Sequence, residues 1–291
     1  MSGVIFLVLA AVQGVAGVLP ISGFGHVVIL AVILGVSGSL SPAAVVILHL
    51  GTAAAVVYQF RRDILKTLYS AVGIAQDLVH NLKQWIIHRR DPENADYSRV
   101  LADNYSRLLV LTLITNVFTA PAAILTDRIS ATGNFSVLLA AFAGFLVTAL
   151  VLSVSSRTLA DKRSPKDVYF RNGILIGIFA GFGILPGLSC LALVQAGTFL
   201  CGFSDKFSRR TVYILMLPAI FGSLVYYGIT GRLVSFGTPA GFIVLGVVIC
   251  AFAGIVTCKL VFPQMGRENS RRAAWYAVGA AAASLIVYFV K

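Results

Sequence analysis

The stretch Val18-Leu19-Pro20-Ile21-Ser22-Gly23-Phe24-Gly25-His26 interrupts an apolar run, Ser2–Val36, that contains no charged side chain. Proline lacks a backbone donor and pushes the preceding residue out of the helical region, so one helix does not run through the whole segment. Each remaining arm has about fifteen residues and reaches only ~22 Å at 1.5 Å per residue, short of a ~30 Å hydrocarbon core. Such a pair of arms enters and leaves a bilayer on one side as a re-entrant hairpin. Leu185-Pro186-Gly187-Leu188-Ser189 divides a second apolar run, Asn172–Phe203, in the same manner.

The rest of the chain has the same solvent in view. Of 291 residues, 58% are hydrophobic and 12% charged, and the first Asp, Glu, Lys or Arg is Arg61. Sixty uncharged residues cannot make a water-exposed surface, so the bilayer is the solvent. Charge-free runs of about the ~20 residues needed to cross it occupy 42–60, 108–126, 136–156, 211–231, 236–258 and 273–290. The fold expected is all-α and integral to the membrane, with six full spans and two re-entrant hairpins, 2–36 and 172–203.

Orientation follows from the cations. Lys and Arg number eight in 61–107, five in 157–171, three in 205–210 and four in 259–272, whereas the intervening turns carry one each, Arg128 and Arg232. The positive-inside rule places the four richer segments in the cytoplasm. The first hairpin then dips in from outside and the second from the cytoplasm, each followed by three spans. Residues 1–156 and 172–291 become two halves of opposite orientation, an inverted repeat, and broken helices at matching places in two halves point to a midplane binding site.

A net charge of +12 is distributed in these loop clusters without interleaved aromatics, so it reads as topology and excludes a nucleic-acid groove. The N-terminus has no basic region before its apolar stretch and reads as mature protein. Cys190, Cys201, Cys250 and Cys258 lie in apolar runs without metal-ligand spacing and are expected as packed thiols; no metal and no cofactor is called for. In the insert 61–107, Leu65, Leu68, Val72, Ala75, Val79, Leu82 and Ile86 recur at spacings of three and four, the mark of an amphipathic helix. It lies on the inner leaflet or packs on a partner, including a homodimer through a short coiled coil.

Backbone broken inside a membrane is tolerated only where protein buries it or a polar cavity meets it, so both breaks are candidate sites. Ser22 and Ser189 stand where an N-cap would restart the helix, with the positive end of the helix dipole aimed inward. Two such ends favour an anion, phosphate being the common guest, and Gly23, Gly25 and Gly187 let backbone approach its oxygens. The alternative is that the serines only cap and the glycines only pack. His26, one turn into the second arm, could donate to phosphate or act as a general acid or base; a neutral core histidine is the rival reading. His49 reads as structural, Gly173, Gly177 and Gly181 as a close-packed helix face, and Pro121 and Pro218 as kinks.

The residues around the breaks resemble the undecaprenyl-diphosphate phosphatase family, the BacA-type bacitracin-resistance proteins. Gln13 through His26 is similar to that family's (E/Q)GxxEFLPISSSGH, and Leu185 through Val194 to its LPGxSRSxxT. Weaker similarity runs through His49–Arg62, Ala120–Ala123 and Leu217–Ile220. The resemblance implies a multi-pass protein of the bacterial inner membrane whose partner is a polyprenyl phosphate or diphosphate lipid, with Gln13, Ser22, His26 and Ser189 around the diphosphate and His26 and Ser22 as catalytic candidates. It also marks departures: Gly17 stands for a glutamate, Cys190 for an arginine, Leu191 for a serine and Val194 for a threonine. These departures imply a lipid-binding or lipid-translocating protein with weak or absent hydrolysis. The alternatives are an active diphosphatase and a small-solute transporter.

Overall fold

The computed structural model describes residues 2–132, 136–158, 163, 164, 167, 169–233 and 237–291. Among these residues ten α-helices run in the order α1 (Gly3–Gly17), α2 (Gly23–Ile33), α3 (Pro42–Ile87), α4 (Asn104–Thr132), α5 (Val137–Ser156), α6 (Phe170–Gly181), α7 (Cys190–Leu200), α8 (Asp205–Ile229), α9 (Ala240–Val261) and α10 (Arg267–Val290). Among the described residues, six helices, α3, α4, α5, α8, α9 and α10, are long and apolar enough to cross a membrane. The protein is an all-α integral membrane protein. Large apolar side chains such as Leu113, Val117, Leu150, Val244, Phe252 and Phe289 face outward, while Thr52, Thr148, Gln195 and Ser284 are buried. That distribution suits a body solvated by lipid.

The helices run past the apolar segments. The expected span 42–60 and the first part of the insert, up to Ile87, are two helical segments of α3 joined across a kink at Phe60, since Phe60-Arg61-Arg62 holds no glycine or proline to separate them. Only Phe60 departs from helical geometry there (φ −109°, ψ 15°). Its ring is wedged against Tyr213 and Phe262, each with centroids 4.9 Å away. Helix α8 starts at Asp205 and α10 at Arg267, ahead of their apolar runs. Charged residues are good helix formers, so polarity marks the membrane surface and not the helix end. The span expected at 236–258 opens on Phe236, which lies outside the described residues; α9 begins after Pro239. Pro121 and Pro218 sit inside α4 and α8, which continue through them.

Packing crosses between the two halves of the chain. Helix α1 lies along α9, α6 along α4, α5 on α10, and α3 on both α8 and α9. The glycines of α6 explain its closeness to α4. A methyl group on Gly173, Gly177 or Gly181 would stand 2.6 Å from Ile114, 2.3 Å from the Thr115 carbonyl oxygen or 2.3 Å from the Ala122 Cβ. Gly14 does the same for α1, where a Cβ would be 2.3 Å from the Cys250 carbonyl oxygen.

Candidate functional site

The first break runs from Val18 to Ser22. Val18 ends α1 and its carbonyl accepts a hydrogen bond from the buried Tyr213 hydroxyl at 2.8 Å. Ser22 caps α2 by accepting from the Gly25 N–H at 3.2 Å. It does so at φ 65°, the one non-glycine residue with positive φ among those described. That conformation costs on the order of 1–2 kcal/mol, and such strain concentrates at functional positions. The Ser22 carbonyl also accepts from His26 Nδ1 at 2.7 Å. Because a carbonyl oxygen only accepts, Nδ1 carries a proton, and Nε2 is hydrogen-bonded to the Tyr276 hydroxyl at 2.9 Å. Both ring nitrogens of His26 are thus engaged, and its ring meets Phe145 edge-on at 5.2 Å.

The second break is a β-turn. Leu188 N–H donates to the Leu185 carbonyl at 3.1 Å, with Pro186 and Gly187 (φ 79°) in the centre, the residue order of a type II turn. Ser189 then caps α7, accepting from the Ala192 N–H at 3.2 Å. Thr148 of α5 clamps this turn, donating to the Gly187 carbonyl at 2.9 Å while accepting from the Ser189 N–H at 3.1 Å. A Thr148→Val variant leaves both backbone groups without a partner and is expected to lose about 1–3 kcal/mol, read as a lower unfolding midpoint in detergent, with Thr148→Ser close to native.

The two breaks touch. A Cβ on Gly25 would stand 2.9 Å from both the Gly187 nitrogen and its Cα, so the first turn of α2 lies against the second break. Helix α5 braces the contact. A Cβ on Gly144 would reach the Pro186 carbonyl oxygen at 2.1 Å, one on Gly187 the Ala141 carbonyl oxygen at 2.1 Å, and one on Gly25 the Phe145 ring at 2.6 Å. Ser22, Gly23, Gly25, His26, Gly187 and Ser189 are therefore gathered in one region.

Gln13 joins them. Its side chain is fully buried, with neither its amide nitrogen nor its oxygen hydrogen-bonded. It lies between two glycines: a Cβ on Gly23 would be 2.8 Å from Gln13 Oε1, and one on Gly17 would be 2.8 Å from Gln13 Nε2 and from Thr52 Oγ1. An unpaired buried amide costs about 1–3 kcal/mol. His49 stands apart in role, donating from Nδ1 to the Val45 carbonyl at 2.7 Å within its own helix.

Thr148, Tyr276, Thr52, Gly144 and Phe145 belong to the site, and four of them carry no signature in a sequence. Thr148 alone had a signal, as a lone hydroxyl in the middle of an apolar span. Among the described residues no group of three or more His, Cys, Asp or Glu side chains could hold a metal ion. What the arrangement offers an anion is two capped helix N-termini, two serines, an amide and an imidazole–phenol pair. The described residues gathered here include no guanidinium, ammonium or carboxylate.

The family model of the bacitracin resistance protein BacA matches residues 6–283. Proteins named undecaprenyl-diphosphatase are similar along much of their length. That of Methanosphaera stadtmanae is 28% identical over 75% of this chain and 74% of its own. That of Geobacter metallireducens is 28% identical over 97% of each chain, and that of Korarchaeum cryptofilum 26% over 94% of each.

Proposed function

The chain belongs to the family of the bacitracin resistance protein BacA, and on that premise we propose that its joined breaks hold the phosphate end of a polyprenyl phosphate or diphosphate, with little or no hydrolysis. The observation that carries this reading is Gln13. A fully buried amide with both polar atoms unpaired, set beside a strained serine cap, fits a group that waits for a ligand. Both hairpins would be re-entrant and the halves inverted, bringing the positive ends of α2 and α7 to the midplane. Support for that arrangement comes from the packing, since α1 on α9 and α6 on α4 are equivalent pairs when the halves are exchanged.

The hydrolytic part of the reading rests on what occupies the altered positions. Phosphoryl transfer is stabilised chiefly by charge placed around the transferring group, and a single arginine can account for a factor on the order of a thousand. Cys190 supplies none of that charge. Gly17 leaves room that the Gln13 amide and the Thr52 hydroxyl fill, so no carboxylate reaches a water there. His26 Nε2 is occupied by Tyr276 and would serve as a donor to phosphate only after that bond opens.

Binding of polyprenyl phosphate to the purified protein, followed by the quenching of its two tryptophans, tests the proposal with one substitution. Gln13→Leu removes the unpaired amide at nearly constant volume. It is expected to raise thermal stability by about 1 kcal/mol while weakening lipid binding at least several-fold. A Gln13→Leu variant that binds as well as the native chain would remove the main support for the site.

A further inference from the structure

The cytoplasmic limb of α3 presents an apolar face with nothing on it. Leu65, Leu68, Val72, Ala75, Val79, Leu82 and Ile86 are all exposed, on a stripe about 100° wide. Tyr69, Leu78, Trp85 and Ile87, each more than half exposed, widen it on both flanks. The chain covers the other side of the helix with its own return segment. His80 Nε2 donates to the Asp96 carbonyl at 2.9 Å, and Asn81 exchanges two hydrogen bonds with the Ser98 backbone, at 2.9 and 2.7 Å. Tyr105 closes the return by donating to Asp63 at 2.9 Å. A polar segment thus lies on the polar face while the apolar face is left open, the reverse of what water would favour.

We propose that this limb is an interfacial anchor, lying with its apolar face in the acyl boundary of an anionic cytoplasmic leaflet. Charge argues for lipid of that sign. The limb and the turn after it carry Arg61, Arg62, Lys66, Lys83, Arg89 and Arg90 against Asp63 and Asp77. Tyr69 and Trp85 are the aromatic types that favour the headgroup level. The departure from helical geometry at Phe60 falls where a spanning helix has to turn into the plane of the leaflet. A second copy fits less well. The three–four spacing could form a coiled-coil seam, but the positions flanking that seam are Tyr69, Gln76, Lys83, Ala71, Leu78 and Trp85. Only one of these is charged, whereas paired helices set opposite charges there.

Nitroxide labels on Val79→Cys, Leu82→Cys and Gln84→Cys in the full chain test this, with unsubstituted protein as the labelling blank. In nanodiscs of phosphatidylethanolamine and phosphatidylglycerol, labels at 79 and 82 should collide with oxygen over a water-soluble nickel chelate several-fold more than the label at 84. That ratio should fall when phosphatidylcholine replaces both lipids. Labels at 79 and 82 as water-accessible as the one at 84 would overturn the proposal. So would dipolar broadening between labels on two copies, and an equal ratio in both lipids would overturn its preference for anionic surfaces.

Discussion

The Gly17→Glu, Cys190→Arg double variant is expected to release phosphate from undecaprenyl diphosphate on the order of a thousand-fold faster than the native chain. The carboxylate would be placed to activate water, and the guanidinium to clamp the diphosphate in a bidentate fork, beside the serine caps already present. Neither single variant should recover much, because groups that act on one transition state act together. Admitting the glutamate requires Gln13 and Thr52 to shift. The three heavy atoms nearest a Cβ at position 17 belong to the Gln13 and Thr52 side chains, and Gln13 has no hydrogen bond to lose by moving. A native chain already as fast as the double variant would defeat the assignment of lost hydrolysis.

Gly187→Ala should have the largest effect on stability. Its φ of 79° is a left-handed conformation that costs an alanine on the order of 1–2 kcal/mol. The added methyl would stand 2.1 Å from the Ala141 carbonyl oxygen, which is backbone and cannot turn aside. Together with overpacking of 1–3 kcal/mol, the loss is roughly 2–5 kcal/mol, a large part of a typical folding free energy. It should appear as aggregation or a strongly lowered unfolding midpoint in detergent. Gly222→Ala is the contrast, since nothing lies within 4 Å of a Cβ there and α8 is helical on both sides. That change should be neutral or stabilising by up to about 1 kcal/mol.

The membrane class and the two breaks were legible because they depend on local rules. A run without charge requires lipid, and proline beside glycine stops a helix. Ser22 and Ser189 were legible as caps because a hydroxyl before a new apolar run has few other uses. The limb of α3 was legible as amphipathic, and the boundary placed before Arg61 coincides with the kink at Phe60. The contact of Gly25 with Gly187, and the brace formed by Ala141, Gly144 and Phe145, could not be read, and Thr148 showed only as a hydroxyl without a stated partner. Those residues look like any small or aromatic packing face, and which face meets which break depends on partners more than forty residues away for Thr148 and Ser189. Tyr276 lies further still, 250 residues from His26.

The glycine contacts that join α6 to α4 and α1 to α9 have a mechanical consequence. Each pair couples one half of the chain to the other at backbone distance, with no side-chain layer to slide or shear. The halves therefore behave as clasped hands, and swinging one against the other would tear both pairs open at once. A ligand entering the site would have to be let by through the short arms α2 and α7, which are held on their hairpin partners α1 and α6, on α5 and, for α7, on α8 as well. Access would then be a matter of small latches moving within a stationary frame.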